Sequence, residues 1–303
     1  MSIPAQYHAF AQGIIRFPAL RPISYFVWSH GFNSQRVQSY ARASKRPALS
    51  LVSQELRKEG IVGTHVNHFF SSHSKHLLEQ IENELEQKRS VASFQKNAYQ
   101  TKGEKAYREM FLSKMLSFEH PAIQLALQPE LLQMVGDYLG MWGFLRAIDI
   151  WHDFPTQQAE AETQYWHRDY IDVMNVKVFI YLNDVTKENG PFCYVPKTHA
   201  RGSIAKQAQA EKDGRIRDEK MIAVAPESQW RICAGEKHSI VIADTSGYHK
   251  GLKPTKSDRY LLMFLYTSGH PWYPRDFQWQ KEVALDRLPN DQVRFAVLQG
   301  NNQ

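Results

Sequence analysis

From about residue 145 the chain is written in short apolar runs, LRAIDIWHDF, MNVKVFIYL, FCYV, MIAVA, SIVIAD and YLLMFLY, separated by NGP, PKTH, TSG and KPTKSD. Runs this short, rich in β-branched and aromatic residues and bounded by Gly, Pro, Ser and Asn, read as strands. Several in succession bury their apolar faces only by closing into a sandwich or barrel, with any helices packed outside and within a single domain. One interval breaks the rhythm: ARGSIAKQAQAEKDGRIRDE, residues 200–219, is too polar and too long for a hairpin turn. It reads equally as a substrate lid or as an irregular excursion.

The first half follows a different period. PALSLVSQELRKEG opens on Pro47, spaces Leu49, Val52 and Leu56 as a helix does, and stops at Gly60. HLLEQIENELEQKR puts Leu77, Leu78, Ile81 and Leu85 on one face, and EKAYREMFLSKMLSF and PELLQMVGDYLG continue the pattern, the last with Pro129 at its start and Gly140 at its end. These segments predict helices that serve as scaffold.

Charge is unevenly placed. The net charge is +6, yet from Met1 to Gln54 there is no Asp or Glu, while Arg16, Arg21, Arg36, Arg42, Lys45 and Arg46 interleave with Phe10, Phe17, Tyr25, Phe26, Trp28 and Phe32. Such a segment suits an anionic membrane surface, an acidic or lipid-linked substrate or a targeting presequence. The plainer reading is a basic arm packed on the domain. The expected organisation is therefore an arm over 1–46 and one domain over 47–303, with a helical scaffold to about 144, a β core over about 145–270 and a polar tail. No nucleic-acid-binding signature is present, so no nucleic acid partner is expected. No run approaches the roughly 18 to 20 apolar residues of a membrane span, and Cys193 and Cys233 form no C-x-x-C pair. The expectation is a cytoplasmic protein, at most peripheral on the inner membrane surface.

QYWHRD places His167 and Asp169 two residues apart. On a strand, positions i and i+2 project from one face, so an imidazole and a carboxylate can converge on one ion. With 13 histidines, about one random His-x-Asp is as probable as none, and the tripeptide alone decides little. An open ferrous site needs a second histidine. His249, in IADTSGYHKGLKPTKSDRYLLMF, follows a strongly apolar strand, and Arg259 begins the next one. A tight turn and an antiparallel return would bring Arg259 back beside His249, where a guanidinium can grip a carboxylate with two hydrogen bonds. That is the arrangement required to hold the far carboxylate of 2-oxoglutarate.

Together, W-H-x-D, NGPFCYVPKTH, D-T-x-G-x-H and the downstream Arg make the sequence resemble the phytanoyl-CoA dioxygenase (PhyH-like) family of Fe(II)/2-oxoglutarate oxygenases, over about residues 130–268. The resemblance implies a mainly β fold with a helical N-terminal half, its core a double-stranded β-helix of jelly-roll, cupin-like type. It implies His167, Asp169 and His249 as iron ligands, Arg259 as the 2-oxoglutarate clamp, dioxygen as co-substrate and ascorbate as accessory reductant. The family's usual turn glycine is Lys197 here. Where some relatives supply a hydroxyl to the co-substrate this chain has Gly251, which passes that role to Thr245, Lys177 or Tyr181. A retained Asp169 favours hydroxylation over halogenation.

Other residues have competing readings. His199 suits a structural hydrogen bond after its strand, and His65, His68, His73 and His76, without nearby cysteines, suit helix capping or solvent rather than zinc. Trp151 and Trp166 flank the site and either line it or pack in the core. The expected reaction is hydroxylation of an anionic or lipid-linked small molecule, with the Kdo sugar of lipopolysaccharide and an acyl-CoA thioester as candidates, and with membrane contact through residues 1–46. The alternative is a non-oxidative, cupin-like metal-dependent isomerase or a sugar-binding module, which has no use for a carboxylate clamp at Arg259.

Overall fold

A computed structural model of the chain describes residues 26, 28–44, 49–94, 107–269 and 274–298. Its strands are β1 (Ile61–His65), β2 (Arg108–Met110), β3 (Met115–Leu116), β4 (Phe144–Asp153), β5 (Val176–Tyr181), β6 (Phe192–Tyr194), β7 (Arg231–Cys233), β8 (Ser239–Ala243), β9 (His249–Gly251), β10 (Arg259–Thr267) and β11 (Gln278–Trp279). Its helices are α1 (Ser34–Ala43), α2 (Leu51–Glu59), α3 (Val66–Phe69), α4 (Ser72–Phe94), α5 (Pro121–Ala126), α6 (Pro129–Leu139), α7 (Asp218–Met221) and α8 (Asp291–Val297). A large antiparallel sheet has the order β1-β8-β5-β10-β4-β2, and a small one the order β7-β6-β9.

Strand alternation divides the large sheet between two cores. Val178, Ile180, Ile240, Ile242, Leu262 and Phe264 pack with Leu56, Leu78, Ile81, Leu131 and Val135 of the helices. Their neighbours Phe179, Tyr181, Val241, Ala243, Leu261 and Met263 pack with Phe192 and Tyr194 of the small sheet. The large sheet is thus covered on both faces, which is why YLLMFLY is apolar throughout rather than alternating. Each Val, Leu, Ile, Phe or Met among them contributes about 1.5 to 3 kcal/mol through burial. The architecture is the expected jelly roll with helices outside.

The scaffold helices begin and end where their caps demand. Ser50 accepts the Ser53 N–H at 3.1 Å to open α2. Gly60 closes it at φ 78°, and a Cβ there would lie 2.4 Å from the Tyr194 hydroxyl. Part of the described basic arm packs inward. Trp28 donates to Ser268 at 2.6 Å, and Arg36, fully buried, donates to the carbonyls of Trp142, Phe295 and Leu298. Arg16, Arg21, Lys45, Arg46, Phe10, Phe17 and Tyr25 lie outside the described residues.

Three expectations are corrected. EKAYREMFLSKMLSF, where described, forms β2 and β3 rather than a helix, because residues 108–110 pair with the edge of β4 and Arg108 meets Asp153 there. Tertiary pairing overrides helix propensity. MIAVA is not a strand: Met221 ends α7, whose first turn carries Asp218 and Glu219, favourable at a helix N-terminus. Finally, His249 and Arg259 do not lie on an antiparallel hairpin. β9 belongs to the small sheet and β10 to the large one, so the connection crosses from one layer to the other.

Lys197, standing at the turn glycine of the resemblance, adopts φ 64°. Its N–H donates to Glu59 O and its carbonyl accepts from Ile204 N, so the left-handed conformation is held from both sides. A side chain there is strained where glycine is not. Lys197→Gly is expected to raise stability by about 0.5 to 1 kcal/mol, read as an increased midpoint in urea unfolding with unchanged slope.

Candidate metal centre and cleft

Residues 165–169 run beside β9 in extended form. The main chains of His167 and His249 exchange hydrogen bonds, each N–H reaching the other's carbonyl at 3.0 Å, and Asp169 N donates to Thr245 O at 2.8 Å. Alternation then sorts the side chains. Trp166 and Arg168 turn away, Trp166 against Trp230 and Arg168 over Tyr248, while His167 and Asp169 face inward with His249. The other edge of the segment is held by Ile216 of the polar 200–219 interval, whose carbonyl accepts from Trp166 N at 3.1 Å.

His167, Asp169 and His249 offer ligand atoms that all lie within 4.8 Å of one another, and they are the one such group among the described residues. Each imidazole Nδ1 is 2.9 Å from a main-chain carbonyl, Tyr165 O for His167 and Gly247 O for His249. A carbonyl only accepts, so Nδ1 carries the proton and both Nε2 lone pairs face the carboxylate. Burial lowers His167 and, with the neighbouring His167, takes His249 down to about 3. Burial would raise Asp169, but Lys177, whose Nζ is 2.6 Å from Oδ2, and the two histidines outweigh it and hold the carboxyl well below its ordinary range.

A small cleft opens beside this group. Phe179, Phe192, Leu261 and Trp151 form its apolar wall, and Arg108, Lys177 and Arg259 its cations, with Thr163 and Gly251 between them. Arg259 approaches β9 across the two sheets: a Cβ on Gly251 would be 3.3 Å from its Nη2. Of the three candidates for the missing hydroxyl, Lys177 lines the cleft. Thr245 instead donates to Asn175, and Tyr181 to Cys233 O at 2.6 Å. Trp151 lines the cleft, whereas Trp166 is buried elsewhere, donating to Asp218 at 2.6 Å. His199 donates to Arg57 O at 3.1 Å, and His65 accepts from Asn67 N to cap α3. Arg108 and Thr163 escaped the sequence reading: the first lay in a presumed helix, and nothing local marks the second.

The profile of the phytanoyl-CoA dioxygenase (PhyH) family matches residues 56–240, more than half of the 303. The match begins well before the residue 130 at which the resemblance was expected to start, and ends before His249 and Arg259. No curated protein matches the sequence. Among solved structures, the chain is similar to EctD from S. alaskensis in its apoform (15% identity, TM-score 0.52, covering 77% of this chain and 86% of that one). It is also similar to EctD with 2-oxoglutarate and 5-hydroxyectoine (14%, TM-score 0.51, 74% and 77%). A third is SnoK, a non-heme alpha ketoglutarate dependent carbocyclase from nogalamycin biosynthesis (17%, TM-score 0.45, 73% and 84%). At these identities the structures speak to fold alone, and the family profile carries the assignment. The chain belongs to the phytanoyl-CoA dioxygenase family and is an iron(II)- and 2-oxoglutarate-dependent oxygenase.

Proposed function

We propose that His167, Asp169 and His249 hold the iron, that Arg259 receives the far carboxylate of 2-oxoglutarate, and that the enzyme hydroxylates an anionic small molecule. The supporting observation is the pair of Nε2 lone pairs aimed at one carboxylate, with each Nδ1 proton committed to a main-chain carbonyl. A carboxylate and two neutral imidazoles on one side of a centre are the donor set of non-haem iron oxygenases. The cleft also contains buried donors without a hydrogen bond, Arg259 Nε and Trp151 Nε1, which suits an acidic co-substrate.

Bound iron with 2-oxoglutarate and dioxygen would supply the oxidising power, converting 2-oxoglutarate to succinate and carbon dioxide. The chain's own residues orient and exclude. Tyr165 O and Gly247 O fix the imidazole tautomers, Lys177 orients Asp169, and Phe179, Phe192 and Leu261 keep the cleft wall dry. Family membership sets aside the non-oxidative isomerase or binding-module reading.

The anionic preference rests on charge. Arg108, Lys177 and Arg259 face the cleft and its ligand group against Asp153 and Asp169. Iron adds two positive charges and 2-oxoglutarate two negative ones, so the loaded site stays positive. Kdo-terminated lipopolysaccharide precursors and acyl-CoA thioesters are the candidate substrates. Contact with an anionic membrane through residues 1–46 rests on exposed Phe26 and Arg42, since Trp28 and Arg36 face inward. Residues 47–303 are assigned to one oxygenase domain.

Anaerobic titration with iron(II) and then 2-oxoglutarate tests the centre. A weak visible charge-transfer band is expected, diminished in Arg259→Ala, and succinate release should fall at least about 100-fold in His167→Ala and Asp169→Ala. An active Asp169→Ala enzyme with unchanged iron dependence would reject the ligand assignment. Succinate release should rise with an anionic candidate and not with its neutral analogue; equal stimulation by both would reject the charge argument.

The buried histidines also set a proton count. Both histidines lie below the ordinary 6.5, His249 at about 3, and Asp169 is already ionised, so at pH 6 His249 has no proton to release and His167 less than its ordinary share. Two unperturbed histidines would release about 1.5 protons at that pH. Iron(II) binding measured calorimetrically in two buffers of different ionisation enthalpy is expected to release fewer protons than that, under about one in all.

A further inference from the structure

Asp153, 1% exposed at the end of β4, stands in one row with two arginines. In the large sheet it is the registered partner of Arg259 on β10 and of Arg108 on β2, so the three residues lie side by side across adjacent strands. Arg108 donates Nε to Asp153 Oδ1 and Nη2 to Oδ2, the latter at 2.9 Å, and Arg259 donates its Nη2 to the same Oδ2. Arg259 Nη1 goes to Gly190 O. Burial alone would lower Arg108 and raise Asp153, yet their mutual attraction places Arg108 above and Asp153 below its ordinary value. The Arg108 guanidinium lies 3.9 Å over the Trp151 ring, which with both arginines lines the cleft.

This arrangement settles a question of charge. A buried Arg259–Asp153 pair standing alone is neutral, and a neutral pair has little pull on a further carboxylate. The second guanidinium gives the row one net positive charge, matching one carboxylate. Bidentate neutralisation by Arg108 also leaves Asp153 less able to repel an incoming anion.

We propose, resting on the reading of Arg259 as the co-substrate clamp, that Arg108 is a positioning residue for 2-oxoglutarate. It compensates Asp153, so that Arg259, although fixed by that carboxylate, acts as a net cation toward the co-substrate. The competing role for Arg108 is a staple between β2 and β4 with no influence on the cleft. The two roles separate when charge and tie are varied independently.

The test is equilibrium binding of 2-oxoglutarate to the full chain loaded anaerobically with iron(II), by calorimetry, in wild type, Arg108→Gln, Arg259→Gln and the double variant Arg108→Gln/Asp153→Asn. Arg108→Gln makes the row neutral and is expected to weaken 2-oxoglutarate binding about 10- to 100-fold, with iron(II) affinity unchanged. The double variant restores the single positive charge without restoring the β2–β4 ion pair. Its 2-oxoglutarate affinity should return to within about fivefold of wild type while its thermal midpoint stays as low as that of Arg108→Gln, or lower.

Wild-type affinity in Arg108→Gln, or no recovery in the double variant, overturns the proposal. Should Arg108→Gln fail to fold, Arg108→Lys retains the charge without the fork and is expected to keep most of the affinity; loss equal to that of Arg259→Gln overturns the proposal by that route. If Arg259→Gln also binds normally, the clamp assignment itself has failed. If Arg259→Gln loses binding and Arg108→Gln does not, only this inference has failed.

Discussion

The site depends on two main-chain hydrogen bonds exchanged between His167 and His249. They pin a segment that belongs to neither named sheet against β9, and bring the two imidazoles to a centroid separation of 4.2 Å. Each ring then finds a carbonyl two residues back along its own chain, Tyr165 for one and Gly247 for the other. The tautomers follow from local backbone, and no distant side chain is needed to impose them. Asp169 is also held by main chain, its N–H tied to Thr245 O, two residues past the registered partner Gly247. A backbone register therefore orders a chemical centre.

Much of this was legible in the residue pattern, for stated reasons. His167 and Asp169 could be placed on one face because extended chain alternates, and Gly60 and Gly140 could be read as helix ends because both adopt the left-handed conformation that other residues avoid. Arg259 could be tied to the site but not located within it: turn residues between His249 and Arg259 suggest a hairpin, and only the assignment of β9 and β10 to different sheets reveals that they meet across the barrel. β2, β7 and β9 are each three residues long, too short for periodicity to register. Arg108 was hidden because its role depends on a partner 45 positions away, and its surroundings have the composition of a helix.

The Arg108–Asp153–Arg259 row is also expensive in solvation. Three charged groups, each less than a tenth exposed, lose their water together, and a well-packed apolar replacement of such clusters is often as stable or more so. Its presence at the cleft beside an otherwise apolar inner core suits a functional charge better than a structural one. The inner face changes character along β10, from Arg259 at the cleft to Leu261, Met263 and Leu265 deeper in the barrel. Apolar packing below holds the polar end rigid above.

The outer edge of the ligand segment meets residues 200–219 through the carbonyl of Ile216, a main-chain atom that every amino acid possesses. The contact is therefore indifferent to the identity of the residue providing it. The side chains of the interval are less free, since Asp218 accepts from Trp166 Nε1 and Arg215 and Arg217 lie over the Tyr165 ring beside the ligands. The polar interval is thus joined to the ligand segment by main chain and side chain alike, and a shift in one reaches the other through Tyr165 and Trp166.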